Sequence, residues 1–312
     1  MRRWLGVLGV AMACAAAAGC GGPANPSSGE PPAPVESVEE WRARHEASYR
    51  EQYVPIAGLH PLREGVNTAG SAASNDVVLP AGVPASIGRF IREGDRVRFE
   101  PERDVDVRVG DQPVRRPLVL EPDTAAEPTE LRIGSVSLVV HPSGSSPMLR
   151  VRDPEGPLAR GFLGFSWFPI DPTYRVVGTF IADDEPSVVR VPNTFGDIDE
   201  YRTEGVVEFT LHGQTLRLRP FTTRPNRLWF VFRDASSGEE TYAAARFLYA
   251  DLEADGRVAL DFNRAYNPPC AFNPYTTCPI PLPENRLPVK ILAGERKYPV
   301  EVKLPGLEAP DL

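Results

Sequence analysis

Asp234, Glu240, Asp261 and Cys270 are the side chains of this chain best suited by type and placement to catalysis. Asp234, Glu239, Glu240, Asp261, Asn263, Glu284 and Asn285 fall at expected strand ends and turns of one stretch, where carboxylate and amide oxygens can converge. Two carboxylates in different surroundings divide into acid and base, the arrangement of a hydrolase-like enzyme, with Cys270 as an outlying nucleophile. The same oxygens suit a hard cation such as calcium. A structural reading stands beside both. Asp234 before Ser-Ser-Gly and Asp261 before Asn263 are turn-capping patterns, and Arg246 or Arg264 would complete buried ion pairs.

A second set, Tyr242, Arg246, Asn263, Tyr266, Asn267, Glu284 and Asn285, is expected to line a ligand pocket, with Phe272 adding an apolar wall. These aromatics serve equally as core residues with satisfied hydroxyls. No CxxC, HExxH or paired-histidine pattern supplies a metal site, and no GxSxG, phosphate-loop or dinucleotide fingerprint occurs. The expectation is therefore no metal and no cofactor.

Most of these residues sit in one segment, LDFNRAYNPPCAFNPYTTCPIPLPENRLPVKILAGE, from Leu260 to Glu295. Rich in Pro, Asn and aromatic residues, it is expected to be fixed and to spend its polar side chains in specific hydrogen bonds. Cys270 and Cys278 within it are expected to pair as a disulfide in an extracytoplasmic setting. The nine-residue loop so closed would gain roughly 2 to 3 kcal/mol, less what Pro274 already supplies by stiffening it. A reactive thiol pair is the alternative.

The setting itself comes from the N-terminus. Arg2 and Arg3, an apolar run from Trp4 to Ala18, and Ala17-Ala18-Gly19-Cys20 read as a signal peptide over residues 1–19 with a lipobox-like end, leaving Cys20 for lipidation. Plain secretion and twin-arginine export are the alternatives. Residues 20–36 then form a Pro/Gly/Ser tether able to span about 50 Å at ~3.1 Å per residue. The expected partner is the cell membrane or outer membrane, held through lipid on Cys20, with a small-molecule or envelope ligand. Loss of the first nineteen residues takes the basic count from 34 to 32 against 42 acids, and the formal charge from -8 to -10. Nucleic acid is thus not the expected partner.

The elements that must position these residues are mainly β. Ser37-Val38-Glu39-Glu40 is a capping box opening a helix through about Tyr53, whose Trp41, His45 and Tyr49 recur at helical spacing and are expected to pack on a first domain. Short periodic runs then predict a small β-sandwich, the helix and sandwich together filling residues 37–146. MLRVRD opens a larger antiparallel β-barrel or sandwich over 147–304, with residues 305–312 as a tail. In it VVEFTLHGQTLRL reads as a hairpin turning at His212-Gly213, and TYAAARFLYADL as strand. Phe162, Phe165, Trp167 and Phe168 are expected in the core or at the seam between the domains.

From Trp41 to about Lys297 the chain resembles domain-of-unknown-function family 1684. The resemblance is carried by GLHPLREGVNTAGS, RVRD, GFLGFSWFPIDPTYRV, FRDASSGEETYAAARFLY, LDFNRAYNPPCAF and TCPIPLPENRLPVKILAGE. It implies no particular activity. The stretch GVNTAGSAASNDVVLPAGVPASIGRF is also similar to forkhead-associated sandwiches, which read phosphothreonine. Ser71 follows Gly70, and Ser86-Ile87-Gly88 fills the second place, so the phosphate-binding Arg and His of that family are missing here. A purely structural envelope role remains the third reading, beside ligand binding and hydrolysis.

Overall fold

In the computed structural model, residues 36–143 and 146–304 are described. The expected signal peptide, the lipidation site Cys20, nearly all of the tether and the tail from Pro305 lie outside them. Helix α1 (Val38–Gln52) begins as its sequence predicts, since Ser37 Oγ accepts from the Glu40 amide at 3.1 Å and Glu40 returns a carboxylate to the Ser37 amide at 2.8 Å.

Eleven strands follow: β1 (Ile56–Pro61), β2 (Gly65–Gly70), β3 (Val77–Val78), β4 (Gly88–Glu93), β5 (Arg96–Pro101), β6 (Arg108–Val109), β7 (Gln112–Pro113), β8 (Leu118–Leu120), β9 (Leu131–Ile133), β10 (Val136–His141) and β11 (Met148–Arg152). They form a five-stranded sheet, β3-β2-β4-β5-β8, and a six-stranded one, β1-β11-β10-β9-β6-β7. Phe90 and Phe99 from the first meet Leu131, Leu138 and Val151 from the second in one dry core, which makes the expected small sandwich. Close backbone approach fixes one glycine here. Gly70 has φ +157, and a Cβ on it would lie 2.2 Å from the Ala85 carbonyl oxygen. The strand Met148–Arg152, expected to open the second domain, instead pairs antiparallel with both β1 and β10. Pro147 marks a turn in sequence, but hydrogen-bond partners on either side decide where the strand belongs.

After the short helix α2 (Pro157–Arg160) come β12 (Arg175–Pro192), β13 (Ile198–Leu211), β14 (Gln214–Leu218), β15 (Phe221–Arg224), β16 (Arg227–Phe232), β17 (Arg246–Asp251) and β18 (Arg257–Asp261). A four-stranded sheet, β14-β13-β12-β18, faces a three-stranded one, β15-β16-β17. Alternation puts Leu228, Phe230 and Phe232 of β16 against Phe209, Leu218 and Leu260 of the larger sheet. Among the described residues these sheets stack as a sandwich and none closes into a barrel. The β13–β14 hairpin turns at His212-Gly213, as its sequence predicts, with φ +48 and +80.

The other face of β15–β17, carrying Phe221, Trp229, Val231 and Phe247, is apolar too. Helix α1 covers it, together with the irregular segment that follows β18. Here the expectation for the helix is corrected: its Trp41–His45–Tyr49 stripe packs on this second sandwich, where Tyr49 joins Val231, Phe247 and Tyr266. The first sandwich has its inner faces already matched, whereas the three-stranded sheet has a bare face to bury. Phe162, Phe165 and Trp167 close the same layer, with Phe165 centred 5.7 Å from the His45 ring.

Candidate functional site

The irregular segment from Phe262 to Tyr298 contributes no strand of its own, so its backbone groups need partners from side chains. Most of the residues singled out by sequence supply them. Asp234 is fully enclosed: one oxygen accepts from Arg246 Nη1 at 2.7 Å, the other from the Ser236 amide and hydroxyl at 2.8 and 2.5 Å and from the Ile291 amide at 3.2 Å. Arg246, equally enclosed, donates onward to the carbonyls of Ile291 and Ala293. This clasp fastens the segment to β17. Asn285 does the same for β14 and β16, donating to the carbonyls of Arg219 at 2.8 Å and Val231 at 2.9 Å. Asn263 bonds Asp171 and Asp261, and Asn267 donates its amide and its side chain to Glu295.

Glu295 is buried, and desolvation raises its carboxyl to about 8 against the opposing pull of Asn267. His45 is buried as well, stacked on Trp41 at 4.8 Å and tilted against Tyr266 at 4.4 Å. Burial, helped by Arg44, lowers it to about 3. Among the described residues its Nε2 has no hydrogen-bond partner, and neither have Arg246 Nε and Asn267 Oδ1.

The expected carboxylate constellation is dispersed. Asp234 is spent on the clasp, Glu240 accepts from Lys290 at 2.8 Å, and Asp261 caps Asn263 at 3.1 Å. Among the described residues no hydrogen bond joins any two of them. Glu284 lies elsewhere, on Arg219.

The expected disulfide is corrected: Cys270 and Cys278 are free, buried thiols. Cys270 sits in a 3-10 turn beside the Tyr242 hydroxyl, which donates to its carbonyl at 3.3 Å. The Cys278 backbone is pinned to Thr194 by bonds of 3.0 and 2.9 Å. The two thiols lie side by side, both next to Thr194, but not at disulfide distance. Burial pushes the Cys270 thiol up, which leaves it a poor nucleophile.

Outside the clasp lies an open feature. A groove of about 760 Å³ runs along β1, roofed by α2 and by Pro274 and Tyr275 of the irregular segment. Its walls are apolar, with Ile56, Leu79 and Val136 buried and Val78 and Leu158 exposed at 44% and 38%. Among the described residues the lining side chains of His60, Glu155 and Arg160 have no hydrogen bond or ion pair, and neither have the Ser135 and Tyr275 hydroxyls. Burial holds His60 below its ordinary value, so it is neutral at pH 7. An apolar slot with a few unspent polar groups is the usual form of a small-ligand site. Sequence reasoning missed these residues, because β1, the loop before α2, α2 itself and Tyr275 come together only in the folded chain.

A second cluster also escaped notice. His141 Nδ1 lies 3.0 Å from Asp123, whose carboxylate is shared with Arg150, so the imidazole is oriented by a charged partner.

Residues 160–296 match the family model described as Protein of unknown function (DUF1684). The chain belongs to this family. The matched DUF1684 region starts within α2 and spans the second sandwich and the clasp, while GLHPLREGVNTAGS precedes it. An uncharacterized protein of Haloarcula marismortui, solved by solution NMR, is 32% identical over 46% of this chain and 82% of that one, with a TM-score of 0.39. No curated protein matches.

Proposed function

We propose that this DUF1684 protein is a lipid-anchored, extracytoplasmic binding protein whose groove along β1 holds a small amphipathic ligand. The anchor rests on the run from Arg2 to Cys20. The groove carries the binding reading through one observation: His60, Glu155 and Arg160 line an apolar slot of about 760 Å³ and spend nothing on the protein itself. A guanidinium and a carboxylate on the rim, with a neutral imidazole beside them, complement a molecule with an apolar body, one anionic and one cationic group. Short peptides with apolar side chains are of this class.

Native mass spectrometry of the full-length protein in mild detergent tests both parts. The denatured mass should include lipid on Cys20. Leucyl dipeptides should bind, and Arg160→Ala should weaken them three- to tenfold, up to ~1.4 kcal/mol. Absence of binding, or equal binding by the variant, overturns the groove reading.

A further inference from the structure

We propose a second site, unrelated to the groove: a bulge in β12 that binds a linear polyamine. The β12–β13 ladder runs regularly from Thr179 opposite Glu208 to Ala182 opposite Gly205, and resumes with Ser187 opposite Thr203. Between these pairs Asp183, Asp184, Glu185 and Pro186 stand against Glu204 alone. A bulge of this kind turns side chains out of the pleat and often borders a site.

Over it opens a pocket of about 560 Å³ lined by Asp183, Asp184, Glu185, Thr203, Arg219 and Glu284. Four carboxylates thus face one guanidinium. Arg219 is already engaged, paired with Asp183 and, at 3.3 Å, with Glu284. Asp184 and Glu185 are exposed and have no ion pair or hydrogen bond among the described residues.

An acidic cluster alone is usually a solvated face, but Thr203 is a separate sign. It lines the same pocket at 0% exposure, and its hydroxyl has no hydrogen-bond partner among the described residues. A buried hydroxyl is rarely left so.

Spacing decides the kind of cation. Among the described residues no three His, Cys, Asp or Glu side chains come close enough to hold a metal ion. The negative charge is strung along the bulge, and Ala182 and Val189 add apolar lining to it. Ammonium groups separated by methylenes match that pattern: charge meets Asp184 and Glu185, and the linker lies on the apolar part.

Calorimetric titration of the full-length protein with spermidine tests the site. Binding should survive magnesium chloride at matched ionic strength. It should weaken tenfold or more in the surface variant Asp184→Asn/Glu185→Gln, and about threefold in Thr203→Val, which keeps the side-chain volume. Circular dichroism verifies that each variant is folded. The proposal is overturned if spermidine does not bind, if the double variant binds equally, if magnesium displaces it as an unspecific counterion would, or if folded Thr203→Val is unchanged.

Discussion

Two buried ionisable side chains set opposite pH slopes on stability. Glu295 has its carboxyl raised from 4.5 to about 8 by burial, so the native state keeps a proton that the unfolded chain releases. Stability from this group is full below pH 4.5 and falls as pH rises to 8. At ~1.4 kcal/mol per unit the loss has an upper limit of about 5 kcal/mol. His45 works the other way: lowered from 6.5 to about 3, it is neutral in the fold while the unfolded imidazole takes up a proton, so stability falls as pH drops from 6.5 to 3. The two slopes oppose one another between 4.5 and 6.5. Urea midpoints should therefore show a plateau there and a decline from pH 6.5 to 8. Glu295→Gln should abolish that decline, keeping one of the two acceptor oxygens that Asn267 uses. A decline of unchanged size in the variant would mean that Glu295 is not its source.

At the scale of elements, two glycines with nearly the same φ separate strain from packing. Gly213 in the β13–β14 turn has φ +80 and open space around it, whereas Gly294 has φ +79 and a Cβ there would sit 2.2 Å from the Ala265 carbonyl oxygen. Gly213→Ala should cost about 1 to 2 kcal/mol, the penalty of left-handed backbone. Gly294→Ala should cost at least twice that, because the clasp around Ala293 and Glu295 must move as well. Equal costs in chemical denaturation would argue against tight packing at Gly294. The pair also marks what sequence can tell. His212-Gly213 between alternating apolar residues is a local signal, as is the capping box at Ser37, and both elements form where the sequence places them. What an element packs against is not local. The Trp41–His45–Tyr49 stripe reveals a buried face but not its partner, and the spacing of Cys270 and Cys278 does not reveal that they stay free thiols. The polar residues of the clasp stand out in sequence because buried amides and charges are unusual there. The groove stays hidden because His60, Glu155 and Arg160 look like ordinary surface residues until the sheet brings them together.

Across the whole molecule, the helix at one end of the described chain is the lid for a sheet built much later. Arg42 reaches the carbonyls of Asn263 and Phe168 at 3.0 and 3.1 Å, and Asn273 donates to the carbonyls of Tyr53 and Ile56 at 3.1 and 2.7 Å. The second sandwich is therefore incomplete without residues that precede the first. A fragment of residues 153–304 would leave Trp229, Phe247 and Tyr266 uncovered on an apolar face large enough to drive association. Expressed alone, it should bind a hydrophobic dye and aggregate. Adding a peptide of residues 36–55 should suppress both, since its stripe restores the missing layer. A fragment that is monomeric, fully packed by near-ultraviolet dichroism and indifferent to the peptide would show that α1 is an accessory and not part of the second core.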